Sequence, residues 1–220
     1  MGKVACVDIA IPIFDRFTAL DAVGPYEVLS RLPGAKVTFL AAEPGIHRTD
    51  TGMLALEATA ALDELPAPDV LVFPGGYGTR ALLKDEQTLQ WVRNVHQTST
   101  WTTSVCTGAL VLAAAGLLDG LEATTHWAAR STLEELGARY VERRVVQQGK
   151  IITAAGVSAG IDMALGLAAQ IAGDDVAQAI QLYIEYDPQP PFDSGSPSKA
   201  PEHVLRLADR TGETEQVPTG

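Results

Sequence analysis

The stretch TTSVCTGALVL, residues 102–112, decides the fold, because it joins a strand directly to a helix through a cysteine. The β-branched and apolar residues before Cys106 are typical of a buried strand, and the apolar run after it predicts a helix. The small residues Gly108 and Ala109 suit a backbone that doubles back sharply between the two elements. The pattern therefore predicts that the sulfur of Cys106 lies at a sheet edge, beside a helix N-terminus.

The rest of the chain repeats this alternation of apolar strands and helices. Such alternation predicts an α/β fold with a mostly parallel sheet covered on both faces. Ligands in these sheets bind beyond the carboxyl ends of the strands. The segment PGGYG, residues 74–78, directly follows the strand DVLVF, just as Cys106 follows its own strand. We therefore expect Gly75, Gly76 and Cys106 to meet at one edge, where the backbone N–H groups could receive negative charge.

Composition limits the classes of protein and partner. The 220 residues carry a formal net charge of -11, which disfavours nucleic acid as a partner. Two cysteines do not form a disulfide framework, and neither a signal peptide nor a membrane span is recognisable. We expect a cytoplasmic protein with one domain over residues 1–200 and a polar C-terminal tail over 201–220.

Each candidate catalytic residue also has a structural interpretation. Helix N–H groups beside Cys106 predict a lowered thiol pKa, but free cysteines are often small buried hydrophobic residues, and Cys6 is interpreted as such a core residue. Asp21 precedes a helix expected to start near Pro25, and is either an N-cap or a general acid near the sulfur. His126 is either a base for the thiol or a structural histidine.

Four motifs in order resemble the ThiJ/PfpI superfamily, within the class I glutamine amidotransferase-like fold. They are LDAVGPYEVL (20–29), VFPGGYG (72–78), SVCTGALVLAAAGLLDGLEATTHW (104–127) and GVSAGIDMALGLA (156–168). The resemblance implies a flavodoxin-like three-layer sandwich with a nucleophile elbow, and a homodimer. It also implies that Cys106 is the nucleophile, Asp21 the catalytic acid and Thr107 a site residue, with the backbones of Gly75 and Gly76 stabilising an anion.

The segment YIEYDPQPPFDSGSPSKAP, residues 183–201, is similar to the tail of the isonitrile (isocyanide) hydratases within this superfamily. The resemblance implies a small-molecule substrate, to which water adds through a covalent Cys106 intermediate, without a metal or organic cofactor. A redox or stress-response role for Cys106 and a glyoxalase- or deglycase-like reaction with His126 as base are the alternatives. PfpI-type proteases have His after the cysteine, where this chain has Thr107, and DNA-binding relatives carry a further domain not expected here.

Overall fold

The computed structural model describes residues 6–214, and the chain divides into two compact units, Met1–Ile184 and Glu185–Gly220. The strands are β1 (Val7–Pro12), β2 (Ala35–Ala41), β3 (Gly45–Arg48), β4 (Ala55–Ala58), β5 (Ala60–Ala61), β6 (Val70–Phe73), β7 (Trp101–Val105), β8 (Glu122–Ala123), β9 (Arg139–Tyr140), β10 (Val145–Gln148) and β11 (Ile151–Ala154). The α-helices are α1 (Ala19–Leu29), α2 (Thr79–Leu82), α3 (Glu86–Thr98), α4 (Gly108–Ala114), α5 (Arg130–Glu135), α6 (Ala159–Ala172), α7 (Asp174–Tyr183) and α8 (Glu202–Thr214). Short 3-10 helices cover Leu62–Glu64 and Trp127–Ala129.

Seven strands form the central sheet in the order β10-β11-β7-β6-β1-β2-β5. All neighbouring pairs are parallel except β10 and β11 at one edge. All four residues of β6 are buried, and so are all four of β11, as expected for strands covered on both faces. The predicted α/β architecture with a mostly parallel sheet is therefore confirmed.

Alternate residues of each central strand enter separate cores on the two faces of the sheet. Ile9 and Ile11 of β1 pack in the core that contains residues of α1 and α6. Leu71 and Phe73 of β6 pack in the other core, with residues of α3 and α4. Burial of each such large side chain contributes about 1.5–3 kcal/mol, so the two cores fix the sheet between its helical layers.

Helix α1 begins earlier than the sequence predicts. It starts at Ala19, with Thr18 as its N-cap residue, and Pro25 lies inside it. Proline normally disfavours a helix interior because it has no N–H to donate to the carbonyl four residues before it. Here tertiary packing maintains the helix: a Cβ placed on Gly160 of α6 would lie 3.2 Å from the Pro25 ring. The prediction that the helix starts near Pro25 is wrong.

Strands β3 and β4 form an antiparallel hairpin that lies between β2 and β5 in the chain. Its turn is bonded to the segment that precedes α1. The Arg16 N–H donates to the Arg48 carbonyl at 2.7 Å, and the Asp50 N–H donates to the Phe17 carbonyl at 2.9 Å. The hairpin is thereby fixed beside the first turn of α1.

The C-terminal unit contains more regular structure than its composition suggests. Helix α8 begins at Glu202, in the segment expected to be a polar tail. Glu202 and Arg206, four residues apart, form an ion pair in its first turns. The helix extends to Thr214, and residues 215–220 of the expected tail lie outside the described residues. The domain boundary at residue 200 stays a prediction.

No helix within residues 6–214 combines the length and hydropathy that crossing a membrane requires.

Candidate active site

Cys106 occupies a sharp turn between β7 and α4. Its backbone has φ 57°, a left-handed conformation that is costly for a residue with a side chain. Three hydrogen bonds hold it there. The Cys106 N–H donates to the carbonyls of Ala154 at 3.0 Å and Ala155 at 3.2 Å, and the Thr125 hydroxyl donates to the Cys106 carbonyl at 2.9 Å. The end of β11 and the segment after β8 therefore impose the turn.

The glycine after this turn permits the close approach of β6. A Cβ placed on Gly108 would lie under 3.0 Å from the backbone carbonyl oxygens of Phe73 and Pro74. Because backbone atoms cannot give way as a flexible side chain can, residue 108 must lack a side chain. The β7–α4 turn thus packs directly on the carboxyl end of β6, where the segment 74–78 starts.

Asp21 lies in the first turn of α1 with no exposed surface. Its Oδ2 accepts a hydrogen bond from the Gly75 N–H at 2.9 Å. Its Oδ1 is buried and has no hydrogen-bond partner among the described residues. The N-cap interpretation is wrong, because Thr18 holds that position and Asp21 follows three residues later. The structure brings the carboxyl group into the Cys106 site instead.

Thr107 and Gly76 form the other side of the site. The Gly76 N–H donates to Thr107 Oγ1 at 2.8 Å, and the Thr79 hydroxyl lies 3.2 Å from the same oxygen. The N–H groups of Gly75 and Gly76 are therefore both occupied, the first by Asp21 and the second by Thr107. In this structure they orient two side chains, whereas the sequence prediction was that they receive an anion.

Asp21 and Cys106 shift each other's pKa. Burial raises the pKa of Asp21 to about 8, against the lowering effects of the Gly75 N–H and of Cys106, and the charge of Asp50 raises it further. Burial and the Asp21 charge raise the pKa of the Cys106 thiol well above its usual range, although the Thr107 N–H lowers it. The predicted lowering of the thiol pKa is wrong, because burial and a neighbouring carboxylate outweigh the short helix α4.

The protonation of the pair follows from these shifts. A carboxyl group with a pKa of about 8 is mostly protonated at pH 7. Two buried groups that repel each other's negative charge do not both ionise readily. At neutral pH the site therefore contains a neutral carboxylic acid, able to donate a proton, beside a neutral thiol.

His126 borders the Cys106 turn without an observed contact to the sulfur. The adjacent Thr125 bonds the Cys106 carbonyl, and the His126 ring packs against Gly156, where a Cβ would lie under 3.0 Å from it. Its Nδ1 accepts from the Ala128 N–H at 3.3 Å. Burial and the charge of Arg80 lower the pKa of His126, so it is neutral at pH 7. This geometry fits the structural interpretation.

The other cysteine is not a core residue. Cys6 is exposed and directly precedes β1, so the interpretation of it as a buried strand residue is wrong.

The sequence analysis did not find Asp50, which lies in the hairpin turn and accepts a hydrogen bond from the Thr18 hydroxyl at 2.7 Å. No signal in the sequence near Asp50 could have revealed it, because its relation to Asp21 exists only after the hairpin docks.

The fold and this site together define a class of protein. A sequence model of the DJ-1/PfpI family matches residues 7–170, and the chain belongs to that family.

Among individual relatives, isonitrile hydratase from Pseudomonas putida is 46% identical over 199 residues, which is 90% of this chain and 87% of the relative. The transcriptional regulator CdhR of Pseudomonas aeruginosa is 32% identical, and the match covers 76% of this chain but 50% of the regulator. A crystal structure of a ThiJ/PfpI family protein from Pseudomonas syringae superposes with a TM-score of 0.91 at 38% identity, over 97% of this chain and 89% of that one. Drosophila melanogaster DJ-1beta, at 21% identity and a TM-score of 0.76 over 82% of this chain and 98% of its own, shares the fold.

Proposed function

We propose that this protein is a cysteine-dependent hydratase of the isonitrile hydratase type, which adds water to an isocyanide and releases an N-substituted formamide. The observation that carries the proposal is the buried pair of Cys106 and a protonated Asp21. The 46% identity to an isonitrile hydratase, over 90% of the chain, supports the same reaction.

In the first step, sulfur attacks the terminal carbon of the isocyanide. An S–C bond forms while that carbon takes a proton from Asp21, and the thiol proton passes to the carboxylate left behind. The product is a thioimidate, in which Cys106 is bonded to a carbon that is doubly bonded to nitrogen. The buried Oδ1 of Asp21, which has no hydrogen-bond partner among the described residues, is the atom suited to this proton transfer.

In the second step, water adds to the thioimidate carbon. Asp21 accepts a proton from the attacking water and passes a proton to the nitrogen. The C–S bond then breaks, the second proton of the water passes to the sulfur, and the carbonyl group of the formamide forms. The products are the formamide and the free thiol, so water is the only co-reactant. The Thr107 N–H stabilises negative charge on sulfur during attack and departure, because it already lowers the thiol pKa.

Gly75, Gly76 and Thr107 position the reacting groups in this scheme. The Gly75 N–H holds Oδ2 of Asp21 and leaves Oδ1 available for the proton. The Gly76 N–H holds the Thr107 hydroxyl at the edge of the site. We assign His126 a structural role, because its nearest link to the sulfur runs through Thr125 and the backbone.

Two further expectations accompany the proposal. The homodimer implied by the resemblance is supported by exposed apolar side chains on the hairpin, Ile46, Met53 and Leu54, which a second copy could cover. Sedimentation equilibrium would test it through the mass in solution. A cytoplasmic location stays a prediction.

The two alternative functions of Cys106, the redox role and the glyoxalase-like reaction, have less support than the hydratase reaction. Oxidation requires a thiolate, and the raised pKa of Cys106 disfavours one at neutral pH. The glyoxalase-like alternative requires His126 as a base near the sulfur, and the observed contacts of His126 run to Ala128 and Gly156.

Steady-state turnover of p-nitrophenyl isocyanide tests the proposed function. Cys106→Ala should lower kcat/KM by about 10³-fold or more, because the covalent route is lost. Cys6→Ala is the matched control: it removes the exposed thiol and should retain wild-type kinetics. Mass spectrometry of the quenched wild-type enzyme should find the substrate mass on the peptide that contains Cys106. A loss of less than about tenfold in Cys106→Ala would contradict the covalent scheme.

A further inference from the structure

Arg80 stands beside the site in a position that the proposed reaction leaves unused. It lies in α2, immediately after the segment 74–78, and is exposed. Its Nη1 donates to the Gly76 carbonyl at 3.2 Å, and its guanidinium carbon is 5.3 Å from the centre of the Tyr77 ring. The positive charge is therefore held next to the residue whose N–H orients Thr107.

The same charge also reaches the opposite border of the Cys106 turn. Arg80 contributes to the lowered pKa of His126, which follows Thr125, the residue bonded to the Cys106 carbonyl. One side of the turn is formed by the segment that contains Gly76 and the other by Thr125 and His126. The Thr79 hydroxyl links Arg80 to the site, because its oxygen lies 3.4 Å from Arg80 Nη1 and 3.2 Å from Thr107 Oγ1. The exposed guanidinium therefore lies at the rim of the site, beside the residue that follows Cys106.

The partners of Arg80 set it apart from most arginines of this acidic chain. In the part of the chain that the structure describes, ion pairs with carboxylates are formed by Arg31, Arg93, Arg130, Arg143, Arg144 and Arg206, among others. Within residues 6–214, no carboxylate forms an ion pair with Arg80, and only Nη1 of its nitrogens has a hydrogen-bond acceptor. The contacts of Arg80 to the Gly76 carbonyl and the Thr79 hydroxyl use Nη1, so Nε and Nη2 are the two donors with which the guanidinium would bind a carboxylate.

A second guanidinium adds to the positive charge here. The Arg16 guanidinium carbon lies 5.4 Å from the centre of the same Tyr77 ring. The left-handed backbone of Arg16, with φ 64°, is held by its N–H bond to the Arg48 carbonyl. A chain with a net charge of -11 repels anions in general, so the positive charge of Arg80 at this edge affects which small molecules approach it.

We propose that Arg80 determines substrate specificity by binding an anionic substituent, so that the substrate class is an isocyanide that carries a carboxylate. The inference rests on the proposed function for the reacting group, while the carboxylate subsite is a separate claim about binding. The Gly76 carbonyl and the Tyr77 ring hold the guanidinium of Arg80 beside the site.

A matched pair of substrates tests the subsite. We would measure kcat/KM for 4-isocyanobenzoate and for its methyl ester, which differ in charge but share the reacting group. The wild-type protein should prefer the carboxylate by about tenfold or more, as expected for a charge-assisted hydrogen bond. Arg80→Gln should remove most of that preference, and Arg80→Lys should restore part of it. Added salt should raise KM for the carboxylate more than for the ester.

Arg139→Gln is the control variant, because Arg139 is also exposed and also donates to a backbone carbonyl, that of Gly120. It should keep the wild-type ratio between the two substrates. The inference is overturned if Arg80→Gln and the wild-type protein show the same ratio.

A binding measurement separates failure of the subsite from failure of the proposed function. Calorimetry would compare 4-formamidobenzoate, which has the shape of the product, with its methyl ester on the wild-type protein and on Arg80→Gln. Tighter binding of the carboxylate that depends on Arg80 supports the subsite even if neither isocyanide is turned over, a result that would reject only the hydratase reaction. Equal binding of the two compounds rejects the subsite even if both isocyanides react.

Discussion

The two cysteines of this chain carry the same thiol in opposite surroundings. Cys6 is exposed just before β1, whereas Cys106 is buried at a left-handed turn and faces a buried carboxyl group. Both follow apolar residues in the sequence, but only Cys106 lies at a turn whose backbone conformation is held by other parts of the fold. The difference shows that reactivity here is built from contacts distant in sequence, and Cys6 serves as an internal reference for the following predictions.

The largest expected effect comes from removing the acid that distinguishes the two thiols. Asp21→Asn keeps the shape of the side chain but cannot deliver the proton, so isocyanide turnover should fall by about 10² to 10⁴-fold. Because the Asp21 charge raises the thiol pKa, the pKa of Cys106 measured by alkylation should fall in the same variant. The alkylation profile of Cys6 should not change. Unchanged turnover would return Asp21 to a structural role.

A smaller effect is expected from the turn itself. Gly108→Ala places a methyl group against the backbone of β6, so we expect a loss of about 1–3 kcal/mol in the free energy of unfolding, measured by chemical denaturation. Gly166→Ala is the matched control, because Gly166 is an exposed helical residue with open space around its Cβ position. That variant should gain up to about 1 kcal/mol. Equal effects at the two sites would mean that the turn tolerates a side chain.

The last expected effect is a slope of stability with pH. Asp21 has a pKa of about 8 in the folded chain against an ordinary value of 3.8, so between these pH values the folded state keeps a proton that the unfolded state has lost. Raising the pH therefore lowers the free energy of unfolding, by at most about 1.4 kcal/mol per pH unit from this group. Asp21→Asn cannot titrate, so the difference between its stability and that of wild type should grow from pH 4 to pH 8. A constant difference would show that Asp21 is ionised in the folded protein.

The sequence predicts the sheet and its functional edge, because these depend on local pattern. An apolar run marks β6, β-branched and apolar residues mark β7, and the rule that parallel strands end at a common edge brings Gly75 and Cys106 together. Local pattern left Asp21 open between an N-cap and an acid, and only the resemblance to a family chose the acid. The contact between α1 and the segment 74–78 joins residues 54 positions apart, which no local pattern contains.

The failures also have physical reasons. Cys6 was interpreted as buried because its neighbours are apolar, but the strand begins one residue later and leaves it exposed. The thiol pKa was predicted from the helix N-terminus alone, whereas burial and Asp21 determine its direction. Pro25 was taken as a helix start, although packing against Gly160 maintains a helix through it. For the thiol pKa and for Pro25, tertiary contacts outweighed a correct local tendency.

The glycines of the site also limit how the sequence of this protein can change. A Cβ on Gly75 would lie 2.5 Å from the Thr107 nitrogen, and one on Gly108 would meet the backbone at the end of β6. The two halves of the site can therefore approach each other only because these two residues have no side chain. One added carbon at either position forces the halves apart, whereas groups at the rim, such as Arg80, can be exchanged without moving the backbone. Mutation can therefore alter which molecules enter this site far more easily than it can alter the space in which sulfur and acid meet.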